Sequence, residues 1–176
     1  MNEIAGVLGG RTIGVFAPSS ARLEQLGTWF SANHASLLRF AYFVSGSREG
    51  AEDLVQDAFV RLYRAGARVD AATMPAYARR TISNLARSGF RRKAVAARHP
   101  ADRGGVADPP DLGARDEMWR AILSLSPRQR AVVALRFYED MSERDIAATL
   151  GMSVGSVKKH SDRAMTRLRE ILGRES

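Results

Sequence analysis

Lys158, Lys159, His160 and Arg163 crowd into one short run, VGSVKKHSDR, with Ser156 and Asp162 beside them. Ammonium groups neutralise phosphate oxygens, a guanidinium can donate two hydrogen bonds to a guanine edge, and a carboxylate can accept from a cytosine amino group. On residue type alone Lys158 serves equally as a phosphate contact, Asp162 equally faces solvent, and His160 reads as a weak phosphate contact rather than a pH sensor. A second cationic stretch, Arg79 to Arg98, holds seven arginines and lysines and no acid, with Tyr77 beside it and Asn84 and Phe90 inside it. Flat rings stack on bases, and an amide offers both a donor and an acceptor to a base edge. The bland alternative for such a run is a solvated helix face; a second DNA-directed element elsewhere in the chain favours nucleic acid. A third group has the opposite sign: Glu52, Asp53 and Asp57, with Gln56 and Arg61 among them. Acids near a helix start account for part of this pattern, but a patch that repels DNA also fits a protein partner. Covalent chemistry is poorly supplied. With no cysteine, disulfides, thiolate zinc and thiol redox are excluded. The three histidines show no metal-ligand spacing, and Tyr77, near Arg79 and Arg80, has no general base to activate it.

Helices must position these groups. In MSERDIAATLGMSVGSVKKHSDRAMTRLREI, Ser142 is an N-cap with Asp145 in the acidic arm of a capping-box pattern. Ile146, Ala147 and Leu150 follow at helical spacing, Gly151 is placed to stop the helix in a left-handed turn, and Ser153 caps the next one. Val154, Val157, Met165, Leu168 and Ile171 form the apolar stripe of that second helix, which puts the lysines and Arg163 in its early turns. This is the pattern of a helix-turn-helix, whose second helix enters the major groove.

Upstream, helical periodicity also dominates, with no convincing alternating strand. One segment runs from about Leu23 to Val44, with Leu26, Phe30, Leu37, Leu38, Ala41 and Val44 facing inward. A turn at Ser45-Gly46-Ser47 leads to a second, whose buried face is Leu54, Val55, Ala58, Phe59 and Leu62 and which Gly66 closes. A third begins near Met74-Pro75 and runs towards Arg92. HPADRGGVADPPDLG then reads as a linker, rich in proline, glycine and aspartate. Beyond it, Met118, Ile122 and Leu125 form a short amphipathic helix, and Ser126-Pro127 starts another, carrying Val132, Val133, Leu135 and Phe137. The expected fold is all-α: two small helical domains joined by a flexible linker, the second a helix-turn-helix. Its divisions are an N-terminal extension over 1–22, a first domain over 23–95, a linker over 96–114 and a second domain over 115–176. The net charge of +8 calls for an acidic partner. No run approaches the ~20 apolar residues of a membrane span, and a cytoplasmic protein without membrane insertion is expected.

AEDLVQDAFVRLYR, AYARRTISNLARSGFRRK and LSPRQRAVVALRFYEDMSERDIAATLGMSVGSVKKH, in this order and spacing, resemble the extracytoplasmic-function group of bacterial RNA polymerase sigma factors. The resemblance spans about Phe30 to Leu172 and implies a non-catalytic specificity subunit, without cofactor or metal. It binds core RNA polymerase and promoter DNA, recognising −35 and −10 elements and helping to melt the latter. It implies that Asp53, Gln56, Asp57 and Arg61 dock on the clamp helices of the polymerase's largest subunit, and it makes the flap region of the polymerase a further partner surface of the chain. Tyr77, Arg80, Asn84, Arg87, Arg91 and Arg92 would engage the −10 element, Asn84 beside an extruded base, and Ser156, Lys158, Lys159, Asp162 and Arg163 the −35 element. An anti-sigma factor would be the regulator. The chain departs from the family pattern at Ser88, where an acid is usual; Ser88-Gly89 should weaken the helix locally by roughly 1 kcal/mol.

Two rivals follow from the residues alone. A dimeric regulator would bind a two-fold symmetric site without polymerase, but the chain shows no dimerisation heptad. A recombinase-like enzyme would have to rest on Tyr77.

Overall fold

The computed structural model describes residues 20–96 and 114–173. The expected extension up to residue 19, and all of the expected linker except Ala96 and Ala114, lie outside the described residues. Those described are helical, with no strand among them. Helix α1 spans Ser20–Ser45, α2 Arg48–Ala65 and α3 Met74–Ala96; a 3-10 turn, Gly66–Arg68, follows α2. In the second half α4 spans Ala114–Leu123, α5 Pro127–Val133, α6 Glu143–Leu150 and α7 Val154–Leu172, with a π-helical turn over Ala134–Tyr138 after α5.

Local chemistry sets most boundaries. Ser47 caps α2 through Gly50 N–H, and Gly66, at φ 57°, ends it. Asp70 accepts from Thr73 N–H at 2.8 Å and from the Thr73 hydroxyl at 2.7 Å, closing the turn before α3. Those bonds hold the Asp70 carboxyl below its usual pKa. Ser126 and Gln129 complete a capping box around Pro127. α1 starts at Ser20, before the expected Leu23, and Arg22 secures it by donating to the carbonyls of Gly66 and Val69. α3 continues unbroken through Ser88-Gly89 to Ala96.

Three apolar clusters stabilise the fold. Leu26, Leu62, Val69 and Met74 close one end of the first half. Ala121, Leu125, Val133, Ala164 and Leu168 close the second half. The largest joins the halves: Leu37, Phe40, Val44, Val55 and Ile82 from α1–α3 are clustered with Val132, Leu135, Ile146, Leu150 and Val157. Each such side chain contributes about 1.5–3 kcal/mol when fully buried.

Three expected core positions are corrected. Phe137 is 58 % exposed, because the chain widens into the π turn there. Glu139 N–H reaches back five residues to the Ala134 carbonyl, and the extra residue in that turn carries Phe137 and Tyr138 outward. Met118 is exposed, and α4 packs through Ala121 and the half-buried Trp119 instead. Val154, in the first turn of α7, is 39 % exposed, whereas Val157, Ala164 and Leu168 of the same helix are buried.

Candidate functional site

The helix-turn-helix has the capping that its sequence spells. Ser142 Oγ accepts from Asp145 N–H at 3.1 Å, and the Asp145 carboxylate accepts the Ser142 hydroxyl proton. α6 ends at Gly151, at φ 63° and ψ 49°, a left-handed conformation that glycine adopts without steric penalty. Ser153 Oγ then accepts from Ser156 N–H at 3.2 Å. One face of α7 is buried by Val157, Ser161, Ala164 and Leu168, so Lys158, Lys159, Asp162 and Arg163 remain exposed. Ser156 is half-buried and its hydroxyl lies 2.9 Å from that of Ser153. Its first obligation is therefore structural.

Two findings refine this face. Lys158 Nζ lies 3.9 Å from Glu143 Oε2, and Glu143 also pairs with Arg136, so an acid on α6 tethers the lysine loosely. His160 is half-buried. Burial pushes its pKa below the ordinary value, and Arg128, Arg163 and Lys159 push it further the same way. It is neutral near pH 7, which suits a hydrogen bond to phosphate better than an ion pair.

On α3 the cationic stretch divides by face. Ile82 and Ala78 pack into the shared cluster. Arg80, Asn84, Arg91 and Arg92 are exposed, whereas Arg87 is half-buried. Tyr77 is half-buried against the cluster of Leu26, Leu62 and Met74. Arg80 and Arg87 face the second half. The Arg80 guanidinium lies over the backbone of Gly151, occupying the space that a Cβ there would need. Arg87 raises the positive potential at Arg128, and its Nε is buried without a hydrogen-bond partner. The six −10 candidates thus do not form a single open surface.

On α2, Asp53, Gln56, Asp57 and Arg61 are all exposed, while Ala51, Val55, Ala58 and Leu62 bury the other side. Arg48 pairs with Glu52 at 3.1 Å within the first turns. Among the described residues no group of histidines, acids or cysteines is arranged to hold a metal ion. No described helix is long and apolar enough to cross a membrane.

Sequence reasoning missed two residues here. Arg79 bonds across to Glu139 at 2.7 Å. Arg130 is buried with no acid paired to it among the described residues; its guanidinium donates to the Leu123 carbonyl at 3.5 Å, and burial pushes its pKa down to about 10. Neither was legible, because both depend on how the halves meet.

Residues 29–95 match sigma-70 region 2, and residues 115–168 match sigma-70, region 4. The RNA polymerase sigma-E factor of Streptomyces avermitilis is 37 % identical over 142 residues, covering 78 % of this chain and 79 % of that protein. The ECF RNA polymerase sigma factor SigE of Mycolicibacterium smegmatis is 33 % identical over 150 residues; the match covers 78 % of this chain but only 58 % of that longer protein. Two solved structures share the fold. They are the sigma factor RpoE with the anti-sigma factor NepR from Bartonella quintana, and CnrH with the cytosolic domain of CnrY. The first has a TM-score of 0.68 and 24 % identity, covering 85 % of this chain and 98 % of that one. The second has a TM-score of 0.63 and 24 % identity, covering 89 % and 93 %. With regions 2 and 4 both present and relatives matched along most of the chain, the chain belongs to the extracytoplasmic-function group of sigma-70 family RNA polymerase sigma factors, the promoter-specificity factors of transcription initiation.

Proposed function

We propose that α2 docks the chain on core RNA polymerase, that α3 engages the −10 element and helps to melt it, and that α7 reads the −35 element. The observation that carries this is the division of labour among exposed faces. Asp53, Gln56 and Asp57 stand clear together on α2, while Asn84, Arg91 and Arg92 on α3 and Lys159, Asp162 and Arg163 on α7 stand clear on predominantly cationic faces. An acidic face suits a protein partner and the cationic faces suit phosphate. Asn84, exposed mid-helix, can meet the pairing edge of a base once that base has left the stack. Such capture offsets the cost of strand opening without nucleotide hydrolysis, and the chain has no catalytic role of its own. It works beside the polymerase in the cytoplasm. Two solved proteins of this fold carry an anti-sigma factor, and a regulator of that kind is assigned to this chain as well.

The test is a pull-down with core polymerase, followed by run-off transcription from a promoter library. Promoter-specific transcripts are expected from the wild-type chain, and Asp57→Arg should lose polymerase without losing helicity. Full polymerase binding by Asp57→Arg would remove α2 as the docking face. Tight binding of the chain alone to a palindromic site, with no polymerase association, would replace the whole reading with a direct-binding regulator.

A further inference from the structure

Glu143 places an acid beside the recognition helix. It opens α6, directly after the Ser142 cap, where a carboxylate stabilises a helix start. That accounts for the charge but not for its company. One oxygen of Glu143 accepts from Arg136 Nη1, and the other lies 3.9 Å from Lys158 Nζ. The three residues belong to three elements: the π turn, α6 and the early turns of α7. Glu143 is more sheltered than the lysine, its side chain 25 % exposed against 63 %. Arg136 is held in turn by the ring of Phe137, whose centroid lies 5.6 Å from the guanidinium carbon. The π turn that carries Phe137 outward therefore also braces the acid. Arg136, Phe137, Glu143, Lys158, Asp162 and Arg169 line one open groove of about 600 Å³. Three cations thus share it with two acids. A groove that only gripped phosphate would gain from losing both acids, since each carboxylate repels the DNA backbone.

We infer that Glu143 is a positioning residue for −35 recognition, which keeps Lys158 in this groove and withholds it from phosphates of arbitrary sequence. The inference rests on α7 being the −35-reading helix. A free lysine swings on a flexible four-carbon stem and pairs with any phosphate in reach. Lys158 is tethered at its tip, and loosely, so its ammonium keeps donors to spare. It can meet the O6 and N7 acceptors of a guanine presented to the groove while Glu143 still faces it. A phosphate contact outside the groove means leaving the carboxylate, which lowers affinity for duplexes that offer no guanine there. The acid acts as the repulsive element from which a binding site gains discrimination.

The test uses holoenzyme assembled from core polymerase and the full-length chain. Its targets are short duplexes carrying either the −35 sequence returned by the promoter library or a shuffled copy of it. Fluorescence anisotropy gives both affinities across a salt series. Glu143→Gln should tighten binding to the shuffled duplex about three- to tenfold while changing the −35 duplex by less than about twofold, so that discrimination falls. The salt dependence on the shuffled duplex should steepen by about one phosphate contact, a reading that a purely structural role at the start of α6 would not move. On a Lys158→Met background the same substitution should shift the shuffled duplex by less than about twofold, because the tether has nothing left to hold. Glu170→Gln, which removes the same charge near the far end of α7, should leave discrimination unchanged. Far-ultraviolet circular dichroism and co-purification with core polymerase confirm that each variant is folded.

Unchanged discrimination in Glu143→Gln, equal tightening on both duplexes, or a full gain that persists on the Lys158→Met background would overturn the inference. Equal binding of both duplexes by the wild-type holoenzyme would instead overturn the −35 reading on which it rests.

Discussion

Ser153→Ala removes the cap of the recognition helix and little else. Ser153 is exposed, so no core must repack. What is lost is the acceptor for Ser156 N–H, 3.2 Å away, and the partner of the Ser156 hydroxyl at 2.9 Å. Loss of a serine N-cap costs about 1 kcal/mol, within a range of roughly 0.5–2. That lowers Tm by about 2–4 °C in a chain of this size. The first turn frays, and with it the placement of Lys158 and Lys159, so affinity for a −35 duplex should fall about fivefold. Fluorescence anisotropy and thermal unfolding read the two effects separately. Ser153→Asn restores the cap and both readings. Ser153→Asp restores the cap and Tm but sets a negative charge beside phosphates, so its duplex affinity should stay low at low salt and recover relative to wild type as salt rises. Two results would refute the reasoning. Ser153→Ala with lowered Tm and unchanged affinity would mean that the first turn of α7 does not touch DNA. Wild-type affinity for Ser153→Asp at low salt would mean that no phosphate approaches that end of the helix.

Asn84→Ala should leave holoenzyme assembly intact and reduce promoter opening, by about 1–3 kcal/mol if one bidentate base contact is lost; permanganate footprinting of unpaired thymines reads this directly. His160 should make the fold acid-sensitive: its native pKa is depressed, so the unfolded chain binds the extra proton first, and stability declines as pH falls below about 6.5. His160→Gln should flatten that decline in urea titrations across pH 5–8. If phosphate touches His160, duplex binding strengthens as pH falls over the same range. Ile146→Ala, at a fully buried position in the cluster shared by both halves, should cost about 2–5 kcal/mol. Amide exchange should accelerate in α3 as well as in α6; acceleration confined to α6 would show that the halves are energetically separate.

Local signals in the sequence were enough for the helix-turn-helix. Ser142, Gly151 and Ser153 each act on a backbone within a few residues, so their roles follow from spacing alone. The buried faces of α1 and α2 were legible for the same reason, since Leu37, Val44, Val55 and Leu62 recur at the helical period. What failed were periodic extrapolations across irregular backbone. Phe137 continued the stripe of α5 on paper, but the π turn breaks the period just before it. Val154 belonged to the stripe of α7 by residue type, yet a first-turn residue has no preceding turn of its own helix to pack beside. Asp70 and Thr73, four letters of an ordinary-looking connection, went unnoticed as a turn closure. The meeting of the halves was illegible in principle: Arg79 and Glu139 lie sixty residues apart, and nothing local marks them as partners.

The shared apolar cluster gives the order of synthesis a physical meaning. α1 to α3 leave the ribosome first, and the residues that cover them, Val132 to Leu150, follow several seconds later at about 5–20 residues per second. Through that interval Val44, Ile82 and the stripe of α3 have no second half to meet. The nascent chain is therefore briefly without the half that completes its core. A holding chaperone that meets it then encounters the apolar face of α1 to α3 uncovered.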